Sequence, residues 1–259
     1  MIDLHCHALP GIDDGPEEMA DAVALARAAV EVGTRTLVAT PHIDHWWDVD
    51  PATLPGRVAE VNAALASEGV DIEVLTGGEI ALTRLMDLDQ DTLDSLTLGD
   101  GRHLLLEAPL SVGAGDFENL VLAIHQRGRP VLLAHPERCP TFLRRPERLE
   151  PLLEAGVLLQ ITAGSLIGQF GNVIQDVSRR WVAQGWVHVL ASDAHDAYRR
   201  PPGLREPAEQ AGFGAELTDW LTTAVPRAIV EGTPIPASPP LPMPEETEPP
   251  KRRWFRPRA

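Results

Sequence analysis

Nine side chains bearing nitrogen or oxygen ligands recur at one kind of position in this chain: His5, His7, Asp14, His42, Glu79, Glu107, His135, Asp193 and His195. Nearly all stand at or just after the end of a short apolar run, in IDLHCH, TLVATPH, IEVLTGGE, LLLEAP, VLLAHPER and VLASDAH. Five of the nine histidines fall in these runs. Imidazole and carboxylate suit zinc, manganese or iron, and affinity order alone does not choose among them. His5 and His7 form an H-x-H pair, and the period of two along a strand puts both imidazoles on one face, where they can share an ion. A single polar residue at a strand end carries little weight. The company these residues keep carries the argument, because nine such ligands at one place can hold two or three divalent ions. Adjacent ions supply a nucleophile near neutral pH, so the expected chemistry is that of a multinuclear metallohydrolase.

Something must gather these residues at one place. Strand-like and helix-like segments alternate, the pattern of βαβ units and a parallel sheet. Seven strands are expected: Ile2–His5, Thr36–Thr40, Ile72–Thr76, His103–Glu107, Val131–Ala134, Val157–Ile161 and Val187–Ala191. They are apolar throughout, as strands covered on both faces are. Pro16-Glu17-Glu18 opens a first helix that Gly33 closes, with proline and acids where a helix start favours them. Further helical faces are Leu54, Val58, Val61 and Leu65, ending before Gly69; Phe117, Leu120, Val121 and Ile124, ending at Gly128; and Val173, Ile174, Val177, Trp181 and Val182, ending at Gly185. Leu217, Trp220, Leu221 and Val225 begin a last helix that Pro226 is expected to kink. Ligands at nearly every strand end favour a closed barrel over an open doubly wound sheet, which collects ligands mainly at its switch point. The expected fold is α/β, a distorted (β/α)7 TIM-like barrel with its active site at the C-terminal strand ends.

The 259 residues suit one such barrel, residues 1–232, with a tail over 233–259. TPIPASPPLPMPEETEPP is proline-rich and aperiodic, which reads as an extended, disordered tail. It ends in KRRWFRPRA, with five positive charges, so the rest of the chain carries −21 against a total of −16. That acidity argues against non-specific nucleic-acid binding. Two cysteines, Cys6 and Cys139, make no disulfide framework. No signal peptide or membrane-length apolar run is read, and the expected location is cytoplasmic. Membrane contact through the arginine-rich end, with Trp254 and Phe255, is a weak reading beside a solubilising tail.

The motifs IDLHCHALPGIDDGP, ATPH, GGE, LLLEAP, HPER and SDAHDAYRRPP occur in order from Met1 to about Leu204. In this the chain resembles the PHP (polymerase and histidinol phosphatase) family, and within it the bacterial tyrosine-phosphatase branch encoded with capsule and exopolysaccharide genes. The resemblance implies a trinuclear site. His5, His7, Glu79 and Asp193 would hold one metal. Glu79 would bridge to a second, also bound by Glu107 and His135. Asp14, His42 and His195 would hold the third. Asp13 rivals Asp14, since either could face inward. It further implies phosphate binding by Arg138 and Arg200, with Arg199 and Arg205 as neighbours that could serve instead of Arg200. The planar guanidinium fork matches a phosphoryl group. Asp193 or His195 is the candidate proton donor to the leaving phenolate, although both are ligands.

Cys139 to Arg145 fits the C-x5-R spacing of cysteine-dependent phosphatases, but the segment has no glycine and Pro140 removes the first N–H that such a loop needs. Cys6, between two ligands, should point into the core. Trp46 and Trp47, close behind His42, either stack on a phosphotyrosine ring or plug the barrel. Ile43 stands where that branch often carries a second histidine. His103, His125 and His188 lack motif company and read as structural, and His45 stays open. The expected function is metal-dependent hydrolysis of a phosphomonoester, on a phosphotyrosine protein such as a bacterial tyrosine kinase controlling polysaccharide synthesis. The alternatives are a small-metabolite phosphatase of the histidinol-phosphate type and a non-catalytic, metal-bound regulator.

Overall fold

The computed structural model describes residues 1–110 and 117–241. Among these, nine strands follow one another: β1 (Ile2–Cys6), β2 (Thr36–Ala39), β3 (His42–Ile43), β4 (Glu73–Thr76), β5 (Glu79–Ala81), β6 (Leu104–Glu107), β7 (Val131–Ala134), β8 (Leu158–Thr162) and β9 (Val189–Ala191). Every pairing between them is parallel. They run as β1-β2-β4 and β3-β5-β6-β7-β8-β9. A parallel bridge between Cys6 and Ala194 joins the far edge back to β1. His7 N donates to Ala194 O at 2.8 Å and Asp193 N to His5 O at 2.9 Å, which completes the seam.

The seven expected strands become seven staves, two of them broken. β2 and β3 are one stave interrupted at Thr40-Pro41, and β4 and β5 another interrupted at Gly77-Gly78. Proline offers no N–H to a ladder. A Cβ on Gly77 would lie 2.7 Å from Val38 Cγ1, so only glycine lets the chain step inward there. The α/β barrel of the sequence reading is the observed architecture, with β3 and β5 too short to be anticipated.

Helices cover the outside. Met19–Glu31 starts at a reciprocal capping box between Glu18 and Asp21. Leu54–Ser67 buries Leu54, Val58, Val61 and Leu65, the face its spacing predicts. Phe117–Gln126 buries Phe117, Val121 and Ile124. Asn172–Ala183 buries Val177, Trp181 and Val182 but leaves Val173, in its first turn, exposed. The last helix does not simply kink at Pro226. A π-turn, Trp220–Ala224, separates Ala215–Asp219 from Val225–Glu231. The wider turn accommodates the missing N–H and the pyrrolidine ring one turn later. Gln90–Ser95, Pro140–Arg144, Glu150–Glu154 and Arg205–Gln210 are short helices beyond the reach of periodicity.

The core is continuous between barrel and helices, with Leu4, Leu37, Leu105, Leu132, Leu159 and Leu190 all fully buried. Residues 233–241 hold no helix or strand. They begin along the body: Ile235 packs against the core and Trp220 Nε1 donates to Pro236 O at 3.1 Å. The basic end with Trp254 and Phe255 lies outside the described residues. No helix among the described residues is long and apolar enough to cross a membrane.

Candidate metal centre

All nine ligand candidates converge at the C-terminal mouth of the barrel. Their ligand atoms form four overlapping groups among the described residues: His7, Asp14, His42 and His195; His5, His7 and Asp193; His5, Glu79 and His135; His42, Glu79 and Glu107. Glu79 is the hub. Its Oε2 lies 3.4 Å from His5 Nε2, 3.6 Å from His7 Nε2 and 3.0 Å from His42 Nδ1, while Oε1 meets His135 Nε2 at 2.7 Å. Asp193 Oδ1 is 3.5 Å from His5 Nε2 and 3.6 Å from His7 Nε2. Asp14 Oδ1 is 3.4 Å from His42 Nε2 and 3.2 Å from His195 Nε2. Glu107 groups with Glu79 through His42, and His135 with Glu79 through His5, so Glu107 and His135 share no group.

The local backbone explains how the ligands arrive. β1 carries Asp3 and His5 on one face, and His7 follows at the same period. His42 and Glu79 are register partners across β3 and β5, so their side chains emerge side by side. His135 and Asp193 are the two non-glycine residues of positive φ among those described, at 33° and 53°. Both directly follow a strand or sit within two residues of its end, where a left-handed residue turns the chain abruptly and aims its side chain back across the mouth. Such strain is tolerated where the surroundings over-determine it.

Three imidazoles are oriented by their far nitrogen. His5 Nδ1 donates to Gln160 Oε1 at 3.0 Å, His7 Nδ1 to Asp13 Oδ2 at 2.7 Å, and His195 Nδ1 to Asp193 O at 3.0 Å. That fixes the Nδ1–H tautomer and turns the Nε2 lone pair into the site. The same three Nε2 atoms are buried without a hydrogen-bond partner, as is Glu79 Oε2. Orphaned acceptors at this density are costly unless something cationic binds them. Their 3.4–3.6 Å separations from carboxylate oxygens match the spacing of neighbouring ligands that each reach one ion at ~2.1 Å. The residues fit divalent metal.

Asp13 and Asp14 separate cleanly. Asp13, 1% exposed, turns away from the ligand groups to accept from His7 Nδ1, from His42 N at 3.1 Å and from Gly15 N at 3.0 Å. Asp14, 45% exposed, lies between His42 and His195.

The electrostatics follow from this crowding. Burial opposes charge on each imidazole, yet the Asp13 hydrogen bond and the nearby carboxylates of Asp193 and Glu79 raise His7 to about 9, and Asp14 and Glu79 raise His42 to about 11, so that a proton and a metal ion compete for the same lone pairs. Burial also opposes the charged form of Glu79 and Asp193, but the surrounding imidazoles, with Arg200 beside Asp193, hold both well below the usual carboxylate range. Glu107 goes the other way, pushed to about 7 by burial and by the charge of Glu79.

Both expected arginines reach the site. Arg138 Nη1 and Arg200 Nη2 each donate to Asp193 Oδ2 at 2.7 Å. Asp193 therefore faces the ligand cluster with one oxygen and the guanidinium pair with the other. Arg138 also lies over the Phe170 ring, 4.6 Å from its centroid. His195 N donates to Arg200 O at 3.0 Å, which locks the SDAHDAYRR loop. Arg205 pairs with Asp219 elsewhere. Glu137 of HPER is fully buried, and its Oε1 accepts from Thr162 N and Ser165 Oγ, pinning the turn between His135 and Arg138 to the loop after β8. A cleft of about 390 Å³ lined by Asp14, Gly15, Glu17, His195, Tyr198 and Arg199 opens beside the ligands.

Sequence reasoning missed Gln160, Phe170 and Glu137. A glutamine inside the apolar run LLQIT was a readable signal; Phe170 offered none. Cys139 is buried and burial raises its thiol, so it is no nucleophile. Cys6 points into the core. Trp46 is 88% exposed and so does not plug the barrel.

Residues 1–231 match the family described as capsular polysaccharide synthesis, CpsB/CapC. The chain is 36% identical over 225 residues to the tyrosine-protein phosphatase YwqE of Bacillus subtilis, covering 86% of this chain and 89% of that protein. It is 25% identical over 240 residues to the tyrosine-protein phosphatase CpsB of Streptococcus pneumoniae, covering 89% and 98%. Among solved structures it superposes with TM-score 0.83 and 34% identity on one from a study of YwqE and CpsB as metal-dependent tyrosine phosphatases, covering 94% of this chain and 99% of that one. A hisK structure from Listeria monocytogenes shares the fold at TM-score 0.50 and 13% identity, covering 77% of this chain and 97% of that one.

Proposed function

The chain belongs to the CpsB/CapC family of capsular polysaccharide synthesis and is a metal-dependent tyrosine-protein phosphatase; from that premise we propose how its residues divide the work. His5, His7, Glu79 and Asp193 hold one ion. Glu79 would extend to a second with Glu107 and His135, which stand in separate groups around it and would have to close onto one ion. Asp14, His42 and His195 hold a third. The observation that carries this reading is the set of buried, unpartnered Nε2 atoms of His5, His7 and His195, each with its Nδ1 already committed. The donor set suits manganese, zinc or iron.

When bound, such ions supply a nucleophile at neutral pH and neutralise phosphoryl charge. The chain's own residues do the rest. Arg138 and Arg200, held together on Asp193 Oδ2, present remaining N–H groups to the non-bridging phosphate oxygens. Phe170 under Arg138 and the closed loop at Arg200 keep both guanidiniums in place before substrate arrives. Asp193, paired with two cations, stays ionised and serves as their anchor. A tyrosine phenol has pKa ~10, so its phenolate leaves with little protonic help, and both nitrogens of His195 are committed, Nδ1 to Asp193 O and Nε2 to the ligand group of Asp14 and His42. The substrate in this reading is a phosphotyrosine protein, a bacterial tyrosine kinase of polysaccharide synthesis control, supported by the family's role and by the relatives' activity.

The test is hydrolysis of a phosphotyrosine peptide, with and without chelator, by wild type and His135→Ala, beside histidinol phosphate. Activity on the peptide that is lost to chelator and to the substitution, and restored in wild type by Mn²⁺, is the expected result. Faster turnover of histidinol phosphate would overturn the substrate assignment.

A further inference from the structure

Apolar side chains stand exposed in three consecutive segments on one side of the mouth, while on the other side Ile167 and Tyr198 are exposed after β8 and β9. Trp46 is 88% exposed, Trp47 38% and Met86 71%, and Leu110 is also exposed. They stand in the segments that follow β3, β5 and β6. These same segments begin at ligand candidates: His42 leads to Trp46 and Trp47, Glu79 to Met86, Glu107 to Leu110. The phosphate-binding arginines come from the other side, after β7 and β9. A phosphotyrosine fixed between ligands and arginines therefore has this apolar rim beside it.

The rim is built rather than loose. Asp44 Oδ1 accepts from Trp46 N at 2.8 Å and from Trp47 N at 2.9 Å, a tight turn that presents both indoles outward. His45 Nε2 lies 3.7 Å from Asp87 Oδ2, and Asp87 also meets Arg84 Nη1 at 3.3 Å, so the segment after β3 is tied to the one carrying Met86. Water-facing indole and methionine on segments tied in this way offer apolar surface that a bound polypeptide can cover. Asp48, Asp50 and Asp87 are exposed around it, on a chain of net charge −16.

We infer that Trp46, with Trp47 and Met86, is a specificity surface for the polypeptide flanking the phosphotyrosine, and that it favours apolar and cationic neighbours over acidic ones. The inference rests on the phosphotyrosine reading above. An apolar side chain packs on the indole, and a lysine or arginine stacks on its face while meeting the surrounding carboxylates. The tyrosine ring itself stays with the ligands and arginines, so a substrate with no flanking residues gains nothing from the rim.

The experiment compares kcat/KM of wild type, Trp46→Ala and Trp46→Phe on three substrates: p-nitrophenyl phosphate, a phosphotyrosine peptide with leucine and lysine flanks, and one with glutamate flanks. Trp46 is so exposed that its loss does not threaten folding. The expected result is that Trp46→Ala loses about tenfold more on the leucine-lysine peptide than on p-nitrophenyl phosphate, mainly through KM. Trp46→Phe recovers most of that difference, and wild type prefers the leucine-lysine peptide to the glutamate peptide. Equal losses on peptide and p-nitrophenyl phosphate would place the indole on the ring and overturn the inference, as would no loss at all. Wild type that turns over p-nitrophenyl phosphate but no phosphotyrosine peptide would instead overturn the reading beneath it.

Discussion

Asp13 gives the sharpest test of how the ligand shell is supported. Its carboxylate accepts three N–H groups: His7 Nδ1 at 2.7 Å, His42 N at 3.1 Å and Gly15 N at 3.0 Å. Replacing it by alanine strands the first two in a buried setting and releases His7 from its fixed tautomer. Supporting partners of this kind are worth about 10- to 100-fold in metal affinity, roughly 1.4–2.7 kcal/mol. The metal-stripped protein should also lose about 2–3 kcal/mol of stability, since hydrogen bonds to a charged group contribute ~1.5–3 kcal/mol each and water refills part of the space. Asp13→Asn should fall between, because the amide keeps one acceptor and loses the charge. Competition with a chelating indicator gives the affinity, metal content at saturation gives the stoichiometry, and thermal unfolding of the stripped protein gives the stability. Asp13→Ala should still reach wild-type stoichiometry at high metal, whereas Asp14→Ala should fall short by one ion. Unchanged affinity in Asp13→Ala would refute the supporting role. A lost ion in Asp13→Ala with full content in Asp14→Ala would reverse the two assignments.

Cys139→Ser should retain activity within about twofold of wild type, since the thiol is buried and no cysteine chemistry is required; a loss beyond tenfold in a folded variant would contradict this. His188 Nδ1 accepts from Leu159 N at 3.2 Å, which only neutral imidazole can do, and burial lowers His188 to about 4. Below the unfolded value of ~6.5 the unfolded chain takes up a proton that the folded chain refuses. Stability should therefore fall as pH drops from ~6.5 toward 4, by up to roughly 3 kcal/mol from this residue. His188→Asn should flatten that slope in denaturant titrations across the interval, and an unchanged slope would count against it. Gly77→Ala should cost about 1–3 kcal/mol, because its Cβ would meet Val38 Cγ1 at 2.7 Å and a β-branched neighbour yields poorly; calorimetry showing no change would remove the close-approach argument.

Much of the barrel is legible in the sequence because apolar runs and helical faces repeat with clean periods, and the ligands stand where those runs stop. His5 and His7 can be read together from the strand period alone. Asp13 and Asp14 cannot be told apart, because their directions are set by a turn rather than by a repeating element. Gln160 was visible as a polar residue within an apolar strand, but its partner His5 lies far away in sequence, and no local pattern links them. The pairing of Arg138 and Arg200 on one oxygen of Asp193 depends on β7 and β9 flanking β8 in the closed sheet, a relation that appears only once the strands are ordered. The exposure of Trp46 was equally hidden, since an indole near a mouth is as readily a plug as a rim.

The broken staves are what make the metal centre possible. An unbroken β2 or β4 would keep each following side chain on the regular alternation and at the radius of the wall. Pro41 withdraws a donor from the ladder, and Gly77-Gly78 lets the adjacent stave pass within reach of Val38 and Leu96 where a Cβ could not. The two breaks lie beside each other, so the strands restart together: Glu79 N donates to Pro41 O at 3.0 Å, and His42 pairs with Glu79 in the new register. That restart sets Glu79 where its two oxygens face imidazoles from β1, β3 and the end of β7 at once. The hub of the site is thus a consequence of three residues that no chemistry requires, and shifting the register by one would turn Glu79 away from His5 and His135 together.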